Sequence, residues 1–132
     1  MEKTLVLIKP DGVERKLMGQ IISIYENKNL NIIKMKMMKA SRELAEKHYE
    51  ELKEKPFFEE VISYITEERL CVLVVEGENA VELIRKLNGN KDILKAEIGS
   101  IRGKYGYEKT RTLVHASDSV EHAKREIAIW FS

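Results

Sequence analysis

One histidine in this sequence stands where an apolar stretch meets the start of a helix, and it is the first residue to consider for chemistry. His115 belongs to the stretch "TLVHASDSV", in which small polar residues follow the imidazole. Side chains at a strand end reach the rim of a sheet, and the free N–H groups of a following helix favour anions. This placement predicts a nucleophilic imidazole near a helix terminus that favours anions, although a packing role fits the same pattern.

Three cations lie at positions from which they can serve such a nucleophile. Lys9 ends the first apolar run, Arg85 lies in a helical segment, and Arg102 lies in the glycine-rich stretch "GSIRGKYG". If the first and last strands are neighbours in the sheet, Lys9 and His115 share one region, over which Arg102 can swing. Fixed cations around a nucleophile are what phosphoryl transfer requires. Each cation is also explicable as ordinary solvated charge, so both interpretations stay open.

Other residue types in the sequence predict less chemistry. His48 and His122 lie in helical segments, where a packing or surface role is expected. Cys71 is the only cysteine and lies inside the apolar run "LCVLVV", which predicts a buried free thiol. The sequence has neither a GxxxxGKS/T phosphate loop nor a GxGxxG turn after a strand, and no Cys/His grouping has zinc spacing. We therefore expect no metal ligands from the protein, and any nucleotide must bind by another route.

Length and composition predict one domain that spans residues 1–132 and contains a sizeable core. Of the 132 residues, 43% are hydrophobic and 34% are charged, and the formal net charge is +1. A nearly neutral chain has no global field that favours nucleic acid or a membrane surface, so anions must bind to a local cluster. The apolar runs are too short for a membrane span or a signal peptide, so we expect a cytoplasmic protein.

Hydrophobic periodicity predicts four strands and five helices. The strands are expected at 4–9, 31–39, 69–77 and 112–115, and the helices at 18–29, 42–54, 56–65, 79–89 and 119–131. Residues 90–111 are predicted to form a long loop, a kind that is often functional. Without the middle helix pair and the last helix, the order is βαββαβ, typical of a ferredoxin-like α+β sandwich. We therefore expect a mostly antiparallel four-stranded sheet with helices on one face and an extra C-terminal helix.

The second predicted strand has an alternating pattern. Ile33, Met35 and Met37 share one face, and Lys34 and Lys36 share the other. Such alternation is typical of a half-solvated strand whose apolar face turns toward the core.

Five segments follow one another in the order and spacing of the nucleoside diphosphate kinases, which this sequence resembles from about residue 3 to residue 131. They are "TLVLIKPDGVERKLMGQII", "HYEELKEKPFF", "VVEGENAV", "GSIRGKYG" and "VHASDSVEHAKREIAIWF". The resemblance implies an enzyme with a ping-pong mechanism that balances nucleotide pools. A nucleoside triphosphate phosphorylates a histidine, and the phosphohistidine passes its phosphoryl group to a nucleoside diphosphate.

The resemblance also assigns roles to matched residues, beginning with the catalytic group. His115 occupies the position of the nucleophile, and Glu126 matches the glutamate that hydrogen-bonds the other ring nitrogen. Ser117 matches the serine that bonds this glutamate. Tyr49 and Lys9 match residues near the transferring phosphate, and Lys9 also reaches the sugar hydroxyl.

A second set of matched positions concerns nucleotide binding. Arg85 and Arg102 match the arginines that bind the phosphates. Phe57, with Val61 beside it, matches the aromatic residue that stacks on the base, and a stacking platform reads no base edges. Mg²⁺ is expected to arrive with the nucleotide and to bridge its phosphates. The resemblance implies a homo-oligomer, a tetramer or a hexamer built from dimers, with no membrane or nucleic-acid partner.

At several positions the sequence departs from the family pattern. Thr112 stands in place of an asparagine, and its hydroxyl can still bond the ribose. Lys91 stands in place of a threonine that contacts phosphate, and it either keeps that contact as a charge or points away. Ala116 replaces a glycine, which would carry strain if its φ were positive. Ile93 and Ile98 replace two stiffening prolines, and we expect an active but somewhat altered enzyme.

Two functions of other classes remain as alternatives. RRM domains share the βαββαβ order, and "RGKYGY" at 102–107 resembles part of an RRM strand motif, which would indicate RNA binding. That segment lies in the predicted loop before the fourth strand, whereas an RRM has it on the third strand. The second alternative is a catalytically weakened protein of the same fold with a regulatory or scaffold role, which the changes at Thr112 and Lys91 would allow.

Overall fold

The structure, a computed structural model, describes residues 1–132 and is built around one four-stranded sheet. Its strands are β1 (Glu2–Ile8), β2 (Asn31–Met38), β3 (Leu70–Gly77) and β4 (Val114–Ala116). Their order across the sheet is β2-β3-β1-β4, and every neighbouring pair is antiparallel. The predicted ferredoxin-like arrangement is therefore confirmed, and the first and last strands are neighbours as expected.

Seven α-helices and one 3₁₀ turn connect and cover the strands. The helices are α1 (Pro10–Glu14), α2 (Met18–Asn27), α3 (Arg42–His48), α4 (Phe58–Thr66), α5 (Ala80–Asn88), α6 (Ile101–Tyr105) and α7 (Val120–Trp130), and the 3₁₀ turn spans Glu50–Leu52. Local signals explain several of the starts. Pro10 lies in the first turn of α1, and the hydroxyls of Ser41 and Ser119 cap α3 and α7. None of these helices is both long and apolar enough to cross a membrane.

Both faces of the sheet carry helices, which corrects the expectation of helices on one face only. Along β1, Val6 and Ile8 pack into a core with residues of α2 and α5. Leu5 and Leu7 pack into a second core with residues of α3, α4 and α7. A strand buried on both faces needs apolar residues at every position, which explains why β1 and β3 are continuous apolar runs.

The structure shifts several predicted boundaries near the candidate site. The Pro-Asp-Gly segment opens α1 instead of forming a turn, and α4 begins at Phe58, two residues after the predicted start at Pro56. The predicted loop 90–111 contains the short helix α6, which the Ser100 hydroxyl caps. Strand β4 continues one residue past His115, so this side chain projects from a face of the sheet and not from the end of a strand.

The edge strand β2 turns apolar side chains toward solvent, contrary to the expectation that its apolar face is directed to the core. Ile33, Met35 and Met37 are 40%, 53% and 38% exposed. The register with β3 shifts between Ile32 and Lys34, which places a bulge in the strand. Ile32 packs against the core of α2 and α5, whereas Ile33, Met35 and Met37 belong to neither core.

One buried hydrogen bond joins helix α2 to α5. Removing this hydrogen bond tests how much it stabilises the core beneath the site. The Tyr25 hydroxyl donates to Asn88 Oδ1 at 2.6 Å, and both side chains are buried. Tyr25→Phe leaves that amide oxygen without a partner, so we expect the free energy of unfolding in urea to fall by about 1–3 kcal/mol. Tyr107→Phe, at an exposed tyrosine, is the control and should change it by less than about 0.5 kcal/mol. Equal stabilities of Tyr25→Phe and wild type would contradict this role.

Candidate active site

His115 projects from the sheet face that α3, α4 and α7 cover. It pairs with Leu7 across the β1–β4 ladder, and Leu7 belongs to the core on that face. Directly paired residues point to the same side of a sheet, so the imidazole is directed toward α3 and α7. Its side chain is 20% exposed, which makes it accessible from one direction while protein surrounds it in the others.

Two residues fix the orientation of the His115 ring. His115 Nε2 lies 2.9 Å from Glu126 Oε1 on α7, and the same oxygen accepts a 2.7 Å hydrogen bond from the Ser117 hydroxyl. Ser117 Oγ accepts in turn from the Leu5 N–H at 3.3 Å, which ties this chain to β1. A carboxylate only accepts, so the proton of the neutral imidazole is assigned to Nε2. Nδ1 keeps the free lone pair and is the atom available as a nucleophile.

Burial of His115 and the hydrogen bonds to Glu126 keep this pair in the protonation states that a nucleophile needs. The pKa of His115 lies below its usual value. Burial is the largest cause and lowers it, Glu126 raises it, and the charges of Lys9 and Lys91 lower it further. Burial alone would raise the pKa of Glu126, but the hydrogen bonds from His115 and Ser117 and the nearby imidazoles hold it below its usual value. At neutral pH the imidazole is neutral and the carboxylate is ionised.

His48, for which the sequence predicts only a packing or surface role, lies against the nucleophile. Its ring centroid is 4.5 Å from that of His115 and 4.5 Å from that of Tyr49, edge-on in both cases. Its Nδ1 accepts a 2.9 Å hydrogen bond from the indole N–H of Trp130. Burial lowers the pKa of His48 to about 3, so the ring is neutral and carries its proton on Nε2. No sequence signal marks this residue, because only the packing of α3 against α7 creates the contact.

The nucleophile and its two neighbours do not form a ready metal site. Ligand atoms of His48, His115 and Glu126 lie within 4.8 Å of one another, a spacing that a metal ion would accept. These groups are already engaged, however, because His115 bonds Glu126 and the bond from Trp130 leaves the His48 proton on Nε2. No cluster of free carboxylates lies beside these three groups.

Lys9 and Thr112 meet beside the nucleophile, as the pairing of the first and last strands predicts. Lys9 Nζ donates to Thr112 Oγ1 at 3.1 Å, and both side chains are buried. Burial, followed by the charges of Arg102 and Lys91, lowers the pKa of Lys9 to about 7. This amine has a neutral hydroxyl as its hydrogen-bond partner, so an arriving anion would favour its charged form.

A turn before β4 directs backbone carbonyls toward Arg102. Leu113 has a φ of 69°, and the Val114 N–H bonds the Thr112 carbonyl across it at 2.7 Å, as in a strained γ-turn. The guanidinium donates to the carbonyls on either side of this turn, at 3.1 and 2.5 Å, and to the Gly89 carbonyl at 2.7 Å. Two of its five N–H donors remain for a phosphate. Arg102 is buried in α6, so the prediction that it lies in a loop and swings over the site is wrong.

The buried carboxylate of Asp11 holds the same turn from the other side. Its Oδ2 accepts from the Leu113 N–H at 3.1 Å, and its Oδ1 accepts from the Tyr64 hydroxyl on α4. The Tyr64 ring lies between two cations, with Lys9 Nζ 5.2 Å and the Arg111 guanidinium 4.8 Å from its centroid. Sequence reasoning misses Asp11 and Tyr64, because an aspartate within Pro-Asp-Gly is ordinary turn chemistry and signals nothing more.

The predicted stacking residue Phe57 lies at the mouth of an open cleft of about 450 Å³. The cleft lies between α4 and the segment before β4, and Val61, Tyr64 and Arg111 also line it. Phe57 is 44% exposed, whereas Phe58 is buried in the core. Phe57 alone of the two therefore offers a free ring face.

Two further predicted cations lie beside the buried group of Lys9 and Arg102. Arg85 is on the outer side of α5, and Lys91 follows three residues after the end of that helix. Both side chains keep solvent contact. Partial burial and the charges of Arg102 and Arg85 lower the pKa of Lys91, so these charges lie close to one another. The structure thus brings four cations close to one another, and the charges of two of them, Lys9 and Lys91, act on His115.

The departure at the residue after the nucleophile carries no strain. Positive φ values outside glycine occur at Lys16, Asn29, Asn79 and Leu113, and Ala116 is not among them. An alanine is therefore tolerated after His115 without backbone distortion.

Comparisons with known proteins identify the family. The family model described as "Nucleoside diphosphate kinase" matches residues 2–132. The chain belongs to the nucleoside diphosphate kinase family. A nucleoside diphosphate kinase from Ignicoccus hospitalis is 52% identical over 131 residues, which are 99% of this chain and 89% of that protein. One from Saccharolobus islandicus is 47% identical over 131 residues, which are 99% of this chain and 95% of that protein.

Solved structures of nucleoside diphosphate kinases share the fold. The apo enzyme from Encephalitozoon cuniculi, in a cubic crystal form, matches with a TM-score of 0.96 and 38% identity over 98% of this chain and 88% of that chain. A family protein from Babesia bovis matches with a TM-score of 0.96 and 38% identity over 100% of this chain and 89% of that chain.

Membership in the family establishes the class of reaction. The chain is an enzyme, a phosphotransferase that acts on nucleoside di- and triphosphates, and a kinase of this family needs a divalent cation. The alternative functions are not favoured. In particular, the segment 102–107 that resembles an RRM motif begins in α6 and lies outside the sheet.

The neutral state of buried His48 predicts a specific acid sensitivity. Its pKa is about 3 in the folded protein and near 6.5 in an unfolded chain, so the unfolded state binds one more proton between these values. Its contribution to stability is full above pH 6.5 and is lost as the pH falls, by up to about 1.4 kcal/mol per pH unit. We expect urea unfolding between pH 7 and pH 4.5 to show a shallower pH dependence for His48→Asn than for wild type.

The asparagine variant is informative because its side-chain oxygen takes the place of Nδ1 and can still accept from Trp130, while no other titrating group is replaced. Parallel pH profiles for the two proteins would show that His48 does not stay neutral in the fold.

Proposed function

We propose that His115 Nδ1 attacks the γ-phosphorus of a nucleoside triphosphate and later passes the phosphoryl group to a nucleoside diphosphate. The observation that carries this proposal is the Ser117–Glu126–His115 chain, which places the ring proton on Nε2 and leaves Nδ1 free. In the first half-reaction the N–P bond forms while the bond from phosphorus to the leaving diphosphate oxygen breaks. In the second, a terminal oxygen of another diphosphate attacks phosphorus and the N–P bond breaks.

Glu126 stabilises the charge that develops on the imidazole during phosphorylation. As Nδ1 donates its lone pair, the ring becomes cationic, and an ionised carboxylate 2.9 Å from Nε2 lowers the energy of that state. Ser117 keeps this carboxylate in place. His48 acts through His115, because a neutral ring packed edge-on limits the rotation of the imidazole.

The nucleotide occupies the space between the cations and the cleft at α4. Its phosphates contact the predicted cations and the predicted tyrosine, which are Lys9, Arg85, Lys91, Arg102 and Tyr49. Thr112, whose hydroxyl already accepts from Lys9, reaches the ribose. The base stacks on the free face of Phe57 at the cleft. Mg²⁺ would be held by the phosphates rather than by protein ligands, and it would supply charge neutralisation there.

The enzyme assembles from identical subunits through the β2 edge. This edge carries unpaired backbone groups and a row of exposed apolar side chains, Ile33, Met35 and Met37, which together form a surface that favours association. The active site lies at the opposite edge, formed by β4, so such an assembly leaves it open. The chain forms one domain. Its substrates are free nucleotides and its single cysteine, Cys71, is buried and unpaired, and both features support a cytoplasmic location.

Phosphoenzyme trapping tests the proposed nucleophile. The protein is incubated with γ-labelled ATP and Mg²⁺ and quenched in base, and the label should survive alkali but not acid, as expected for phosphohistidine. Unlabelled GDP should then discharge it as labelled GTP. We expect no label above background on His115→Ala, and full labelling on the control His122→Ala, whose side chain pairs with Asp118 at the surface. Labelling of His115→Ala at the wild-type level would refute the assignment.

A charge introduced at the β2 edge tests the proposed assembly. Met35 is the most exposed residue of the apolar row, and a lysine there would place charge in the buried centre of an interface. We expect Met35→Lys to reduce the sedimentation coefficient to that of a smaller species. Leu94→Lys, at a side chain 91% exposed outside this edge, is the control for a general effect of surface charge. An unchanged assembly in Met35→Lys would place the interface elsewhere.

A further inference from the structure

Four positive side chains lie close together near His115. Lys9 and Arg102 both bond Thr112, and Arg102 also holds the Gly89 carbonyl, two residues before Lys91. Lys9 and Arg102 are buried, and Arg85 and Lys91 lie at the solvent side of the group. Their charges act on one another, because Arg102 and Lys91 lower the pKa of Lys9 and Arg102 and Arg85 lower that of Lys91. Mutual repulsion of this kind is unfavourable until an anion arrives.

The acidic groups near this cluster are already engaged. Asp11 uses both carboxylate oxygens, for Tyr64 and for a backbone N–H. Glu126 is bound to the nucleophile and to its serine. Asp118 acts on Lys91 through its charge, but its hydrogen bond goes to His122. No carboxylate therefore bonds any of the four cations, and they remain available to an anionic ligand that enters from solvent.

The backbone around Lys91 is held in place from both sides. Gly89, with a φ of +85°, presents its carbonyl to the buried guanidinium of Arg102 at 2.7 Å. After it, Asn90 Oδ1 accepts from the Asp92 N–H at 2.9 Å and closes a turn around Lys91. These contacts fix the backbone of Lys91 near Arg102, so its side chain starts from a defined position close to the other cations.

Building on the proposed function, we propose that Lys91 takes over part of the charge neutralisation that the divalent cation supplies, so that the site also binds metal-free nucleotides. An ammonium group offers a compact charge and three N–H donors to phosphate oxygens. A nucleotide without Mg²⁺ carries more negative charge, so the positive charge of Lys91 then contributes most to the binding free energy. The ligands concerned are uncomplexed nucleoside di- and triphosphates, bound at the same site as their metal complexes.

Calorimetric titration with GDP, in Mg²⁺ and in EDTA, tests this proposal. In EDTA we expect Lys91→Gln to bind GDP about tenfold more weakly than wild type, about the effect of one charged hydrogen bond. In Mg²⁺ the same substitution should weaken binding by less than about threefold. Lys91→Arg keeps the positive charge, so in EDTA its affinity for GDP should be closer to that of wild type than the affinity of Lys91→Gln is. Lys95→Gln, at an exposed lysine on the same loop, is the matched control and should differ less than about twofold in both conditions.

The outcomes separate this proposal from the proposed function. An equal loss of affinity in Mg²⁺ and in EDTA would show that Lys91 is an ordinary phosphate contact, and no loss in either would show that it points away from the ligand. Both results overturn the proposal while leaving phosphoenzyme trapping in Mg²⁺ unaffected. Failure of wild type to label His115 would instead refute the proposed function. Circular dichroism melting of each variant verifies that the compared proteins are folded.

Discussion

The buried guanidinium of Arg102 holds together the parts of the chain that form the site. It has no carboxylate partner and instead donates to three backbone carbonyls, from the end of α5 and from both sides of the turn at Leu113. Breaking these bonds would leave buried carbonyls and a buried charge unsatisfied, which is expensive. The turn can therefore keep its strained geometry, and that geometry sets the start of β4 and hence the position of His115.

The site draws its groups from the two faces of the sheet. The nucleophile and its orienting residues belong to the face covered by α3, α4 and α7, where burial keeps the imidazoles neutral. The cations come from the ends of the strands and from α5 and α6, on the side of the other core. A neutral nucleophile thus lies beside a strongly positive field without losing its lone pair to a proton, which is the combination that attack on an anionic phosphate requires.

Much of the fold can be read from the sequence because its signals are local. Continuous apolar runs give β1 and β3, serine caps give the starts of α3 and α7, and the order of elements gives the sheet. His115 and Lys9 follow from the neighbouring first and last strands. Long-range contacts carry no such signal. The bonds of Trp130 to His48 and of Tyr64 to Asp11 join residues 82 and 53 positions apart, and neither residue pair has a pattern that marks it.

The prediction of which face of β2 is buried is wrong for a related reason. Alternation in a strand shows which residues share a face, but not which face another element covers. Here the strand has a bulge after Ile32 and α2 does not extend over the residues that follow, so Ile33, Met35 and Met37 remain exposed to solvent. The predicted alternation is therefore correct, but the prediction that its apolar side faces the core is wrong.

The contact between Trp130 and His48 gives the enzyme a built-in optical probe. Trp130 is the only tryptophan in the chain, its indole N–H is bound to His48, and His48 touches the ring of His115. A phosphoryl group added to His115 alters the charge within two side chains of the indole. The fluorescence of the unlabelled protein therefore reports on a single site, and rapid mixing can follow each half-reaction without a coupled assay or a modified nucleotide.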